Sequence, residues 1–114
     1  MHELGIVFHI IKAVERVGAE NKLTQVSTVI LELGEVSGVI PEELTNCWQW
    51  AVQKTELLKE AALVIETIPA VTFCEGCERT YGTVQYGRIC PFCGSERTYL
   101  VRGNEINLKT IEAC

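Results

Sequence analysis

Four of the six cysteines form two Cys-x-x-Cys pairs, Cys74/Cys77 and Cys90/Cys93, with residues 78–89 between them. Two such turns at the tips of short hairpins offer four thiolates in a tetrahedron, which zinc accepts at Zn–S distances of about 2.3 Å. Gly76 and Gly94 are expected to supply positive φ for the tight turns. A closed four-thiolate shell leaves no open position, so the expected zinc is structural and not catalytic. Its contribution is folding free energy, on the order of 10–16 kcal/mol of binding in peptide models. A redox dithiol is the first rival, but one tetrahedral ion explains two pairs at ribbon spacing better than two independent redox centres do. A nucleic-acid zinc ribbon is the second. Around these cysteines Arg79, Arg88, Arg97 and Arg102 face Glu75, Glu78 and Glu96, and four thiolates with one zinc add further negative charge, so no basic footprint results. Cys47 and Cys114 stand apart from the pairs. Cys47 reads as a small core residue, and Cys114 as a terminal thiol open to oxidation in vitro.

The chain has two histidines, His2 and His9. His9 reads as an ordinary surface or half-buried side chain within the first helix. His2 lies beside the α-amino group of Met1 and ahead of that helix, whose first amides lack intrahelical partners. Its imidazole, the terminal amine and deprotonated amides can close chelate rings around Cu(II) or Ni(II), which prefer square-planar nitrogen sites. The helix dipole opposes a cation there, and Glu3 offsets it. On residue types alone, an ordinary terminal side chain and a metal ligand both stand.

These groups need elements to hold them. Residues 4–18 place Val7, Ile10, Ile11, Val14 and Val17 on one helical face, with Gly18 as an expected stop. Residues 24–33 are rich in β-branched side chains and read as a strand. Pro41, Glu42 and Glu43 suit the start of a second helix, whose buried stripe is Leu44, Cys47, Trp48, Ala51 and Val52. Trp50 falls off that stripe and reads equally as an interface aromatic or as packing on the cysteine module. Residues 63–68 read as a second strand and Pro69 as a boundary. Residues 71–100 are too poor in aliphatic side chains to build a core. From Ile106 to Glu112 a last strand follows, with no partner inside the cysteine module, so it is expected to return to the first sheet.

The predicted fold class is α+β: two helices on a small sheet of about three strands, with the four-cysteine, zinc-ribbon-like module inserted before the last strand. The expected division is 1–69 plus 104–114 as one domain and 70–103 as the zinc-binding domain. Length and charge agree with this and narrow the function. At 114 residues, 22% of them charged, the chain suits one small folded soluble domain with a metal-stapled appendage. All 15 acidic residues are Glu, and against 10 Lys and Arg they leave a net charge of -5, which disfavours binding to nucleic acid. No apolar run approaches the roughly 20 residues of a membrane span. The N-terminus lacks the basic region of a secretory signal, so a cytoplasmic location is expected. Neither a Ser/His/Asp set nor a phosphate-cradling glycine loop supports an enzyme.

The start Met1-His2-Glu3-Leu4, the stretch Leu31-Glu32-Leu33-Gly34-Glu35-Val36-Ser37-Gly38-Val39 followed by Pro41-Glu42, the paired cysteine knuckles and the closing Gly103-Asn104-Glu105-Ile106 together resemble the HypA/HybF family. These are nickel metallochaperones of NiFe-hydrogenase maturation, and the likeness spans essentially the whole chain. It implies that the N-terminal segment holds Ni(II) as transient cargo. His2 would give imidazole and backbone nitrogen, and Glu3 its amide, its carboxylate or both. It also implies Zn(II), one per chain, on Cys74, Cys77, Cys90 and Cys93. Some members recruit a histidine from the zinc module or a carboxylate from the loop before the second helix. This chain has no histidine after His9, and Ile40 precedes Pro41. Glu42, Glu43, the Met1 amine, solvent or a second protein are the candidates to complete the shell. The implied partners are a nickel-handling GTPase and the hydrogenase large-subunit precursor, with urease served by some members. The exposed side of the first helix is the expected docking surface, and two chain crossings into the zinc module invite a swapped homodimer.

Overall fold

A computed structural model of the chain describes residues 3–113. The elements run in the order α1 (Glu3–Glu20), β1 (Val26–Gly34), α2 (Pro41–Ala51), a 3-10 turn (Val52–Lys54), β2 (Ala62–Ile68), β3 (Val71–Cys74), β4 (Thr80–Gly82), a one-turn α3 (Thr83–Tyr86), β5 (Thr98–Arg102) and β6 (Ile106–Ala113). One three-stranded sheet has the order β2-β1-β6 and the other the order β4-β3-β5. The last strand therefore returns to the first sheet, and the α+β class with an inserted cysteine module is the observed architecture.

The chain clusters into two compact units: Met1–Leu31, Val39–Glu66 and Asn107–Cys114 in the first, Glu32–Gly38 and Thr67–Ile106 in the second. In the first unit α1 packs against α2. Val7, Ile10, Ile11 and Val14 are buried at the three- and four-residue steps that define one helical face. Leu44, Trp48, Ala51 and Val52 are buried from the other side, and Trp48 Nε1 donates to the Ala61 carbonyl at 3.1 Å. That bond satisfies the indole N–H which burial removes from water. Val29 and Leu31 turn inward from β1 to join this core.

α1 does not stop at Gly18. It continues to Glu20, because the terminator is Lys22 in the left-handed region at φ 55. Leu23 N donates to Gly18 O at 2.8 Å and Lys22 N to Ala19 O at 3.4 Å, the paired closure of a Schellman motif with lysine where glycine is usual. Gly18 serves packing instead: a Cβ there would come within 2.8 Å of Leu57 Cδ2.

In the second unit β3 pairs antiparallel with β4 and with β5, Phe73 standing opposite Thr80 on one side and Tyr99 on the other. A four-way backbone clamp closes its base. Gly34 N donates to Glu105 O (2.7 Å), Glu35 N to Ile68 O (2.8 Å) and Val36 N to Gly103 O (2.8 Å). In return Ala70 N donates to Glu35 Oε1 at 2.8 Å. The end of β1 thus grips both the strand entering the cysteine segment and the one leaving it. Glu105 accepts the Gly103 N–H, and that donor, with other backbone N–H groups and Arg102, holds its carboxyl below the ordinary value. Close approach requires glycine here: a Cβ on Gly34 would overlap the Gly103 carbonyl, and one on Gly103, itself at φ 117, would overlap Ala70.

Candidate metal centre

Cys74 ends β3, and its chain turns at once through Glu75 and Gly76 to Cys77; Cys90 and Cys93 flank a second turn of the same design. Each turn closes the same way. Glu78 N donates to Cys74 O at 2.8 Å and Gly94 N to Cys90 O at 2.9 Å. The residue after the second cysteine takes the left-handed conformation in both, φ 59 at Glu78 and φ 74 at Gly94. Gly94 meets the expectation, but Gly76 does not have positive φ. It leaves room instead, since a Cβ there would sit 3.1 Å from Ser95 Cβ and 3.5 Å from Cys74 Sγ.

The two turns are stitched together by Glu75 N to Arg97 O (2.9 Å) and supported by Cys90 N to Ser95 O (3.0 Å). The four Sγ atoms lie within 4.8 Å of one another. Cys74 and Cys93 approach to 3.6 Å, and so do Cys77 and Cys90. Both close pairs join one turn to the other. Disulfide bonding needs about 2.05 Å, so these are separate thiols. Sulfurs at the corners of a tetrahedron around zinc stand about 3.8 Å apart for a 2.3 Å bond, and the observed spacing fits that cage.

Electrostatics point the same way. Burial, helped by the neighbouring sulfurs, pushes the Cys77 thiol up to about 12. Burial also raises Cys90, but the N–H groups of Cys93 and Phe92 outweigh it and bring that thiol down to about 7; the Phe92 N–H lies 3.4 Å from Cys90 Sγ. Four thiols crowded together resist full ionisation by themselves, and a coordinated divalent cation reverses that by displacing their protons. Cys74, Tyr81 and Cys90 form the buried kernel around the cage, with Cys77 packed on it. Tyr81 donates its hydroxyl to Gly87 O at 2.9 Å, and Arg79 lies over the Phe92 ring at 4.9 Å.

Of the residues expected at the N-terminal centre, Met1 and His2 lie outside the described residues, as does Cys114. Glu3 opens α1 and is 8% exposed. Its Oε2 accepts the Ile40 N–H at 3.3 Å, a contact with no signal in the sequence. Ile40 is the residue capping α2 and makes no side-chain cap bond. Glu42 and Glu43 are exposed on the first turn of α2, and His9 is exposed on α1. Cys47 is half-buried and lines a groove with Leu4, Asn46 and Trp50. Trp50 is exposed, with Lys54 Nζ over its ring at 5.1 Å. Among the described residues no helix is long and apolar enough to cross a membrane.

Comparison with known proteins adds a lineage. The family model described as hydrogenase/urease nickel incorporation, metallochaperone, hypA matches residues 1–113. A hydrogenase maturation factor HypA 1 of Bradyrhizobium diazoefficiens is 34% identical over 112 residues, 98% of either chain. A hydrogenase maturation factor HypA of Picosynechococcus is 30% identical over the same share. The solution structure of the Ni metallochaperone HypA from Helicobacter pylori superposes with a TM-score of 0.73 at 23% identity, covering 99% of this chain and 97% of that one. At that identity the likeness speaks for the fold.

Proposed function

The chain belongs to the HypA family of hydrogenase/urease nickel incorporation metallochaperones, and from that premise we propose that it carries Ni(II) at its N-terminal segment, delivers it during NiFe-hydrogenase maturation and keeps its shape with a separate zinc ion. His2 supplies imidazole and main-chain nitrogen to the cargo, Glu3 takes part, and the Met1 amine is a further donor. Cys74, Cys77, Cys90 and Cys93 hold the zinc. Bound there, zinc supplies cross-linking of the two knuckles and no open coordination position.

The observation that carries the reading is the family match over residues 1–113, and the four-sulfur cage supports the zinc half of it. Under this reading residues 1–69 with 104–114 form the nickel-handling domain and 70–103 the zinc-binding domain. The protein is a carrier and not a catalyst. A carrier needs a site that releases as well as binds, and a few nitrogens at a chain end can come apart by fraying. The partners are a nickel-handling GTPase and the hydrogenase large-subunit precursor, in the cytoplasm, with urease as the alternative recipient. Ligand nitrogens must lose protons to bind, so nickel is released as pH falls.

Equilibrium dialysis of the untagged chain with Ni(II), beside its His2→Ala variant, tests this. The variant is expected to lose nickel and to keep one zinc per chain. Stoichiometric nickel retained in His2→Ala would overturn the assignment.

A further inference from the structure

One oxygen of the buried Glu3 carboxylate is already in use as a hydrogen-bond acceptor. Burying a carboxylate is costly unless its oxygens are hydrogen-bonded. At 8% exposure, Glu3 directs Oε2 to the backbone N–H of Ile40. That N–H belongs to the residue capping α2, followed by Pro41, which has no N–H to offer. In a capping box this donor is taken by a carboxylate three residues into the same helix. Here that position is Glu43, which is exposed on the first turn. Glu3 reaches the donor from another helix, 37 positions earlier in the chain. Its carboxylate also lies near the positive end of the α2 dipole, a favourable place for a negative charge. Turning Oε2 to a metal would strip Ile40 N–H of its acceptor.

Resting on the N-terminal nickel reading above, we propose that Glu3 is a positioning residue of that site and not a carboxylate ligand. Its side chain fastens the first turn of α1 to the entry of α2. That tie fixes where the main chain at residue 3 stands, leaving its amide to face the cargo. Residue 40 joins the arrangement through its backbone, since the isoleucine side chain has no donor atom.

Ligation and positioning separate on substitution. Glu3→Gln keeps a carbonyl-type oxygen to accept from Ile40 but is a far weaker metal ligand. Glu3→Ala removes the acceptor. Ile40→Pro removes the donor and leaves Glu3 whole. We would titrate each untagged full-length variant with Ni(II), with zinc content as the check on folding. Glu3→Gln is expected to bind within about threefold of the parent, and Glu3→Ala and Ile40→Pro to weaken by about tenfold or more, the scale of losing an outer support of a metal site. Equal weakening in Glu3→Gln and Glu3→Ala would establish carboxylate ligation and overturn the proposal. Parental affinity in Glu3→Ala or in Ile40→Pro would overturn it too. His2→Ala is the separate control: nickel retained there defeats the N-terminal reading itself, whatever Glu3 does.

Discussion

Lys22 shows how a single residue can hold a conformation its type dislikes. A left-handed residue with a Cβ costs roughly 1–2 kcal/mol relative to glycine, and Lys22 sits at φ 55 because the closing bonds to Gly18 O and Ala19 O require it. Lys22→Gly is therefore expected to stabilise the protein by about 1 kcal/mol, raising the melting temperature by about 4 °C. Differential scanning calorimetry would register the change, and a lower midpoint would contradict it. The position was illegible in the sequence. Gly18 offers the obvious stop signal, yet it is buried beneath Leu57 and its φ is not positive. Glu78 was hidden for the same reason, since it takes left-handed φ in the first knuckle where Gly94 takes it in the second. Glu3 was half legible. Its type fits the first turn of a helix, but its partner is remote in sequence.

Periodicity made most elements readable. The inward residues of α1 and the Leu44/Trp48/Val52 stripe of α2 follow from spacing alone, and β6 was assignable because a cysteine module offers it no partner. What pattern could not convey is the clamp at the end of β1, because backbone hydrogen bonds leave no mark on residue type. Only the glycines hint at it. Gly103→Ala puts a Cβ into Ala70 at φ 117, and is expected to cost about 3 kcal/mol or more, strain and overlap acting together. Gly38→Ala meets open space at φ 82 and should lose only about 1–2 kcal/mol, the conformational part. Urea unfolding of both variants would separate the two costs, and equal midpoints would argue against the clamp.

At the scale of the molecule, the sulfur cage lies wholly in the second unit. The three tyrosines, Tyr81, Tyr86 and Tyr99, belong to that unit, and the two tryptophans, Trp48 and Trp50, to the first. If the cage holds the proposed zinc, a strong chelator is thus expected to collapse the near-ultraviolet signal of the tyrosines while Trp48 emission holds its buried wavelength. The thiolates alone cannot replace the lost metal–ligand free energy, on the order of 10 kcal/mol. A parallel red shift of Trp48 would instead mean that the chain melts as one. The cysteine segment also departs at Ala70 and comes back at Gly103, two residues whose backbones touch. A loop with neighbouring ends can be spliced out or transplanted without rerouting its host. The cysteine segment is to that extent a cassette set between β2 and β6.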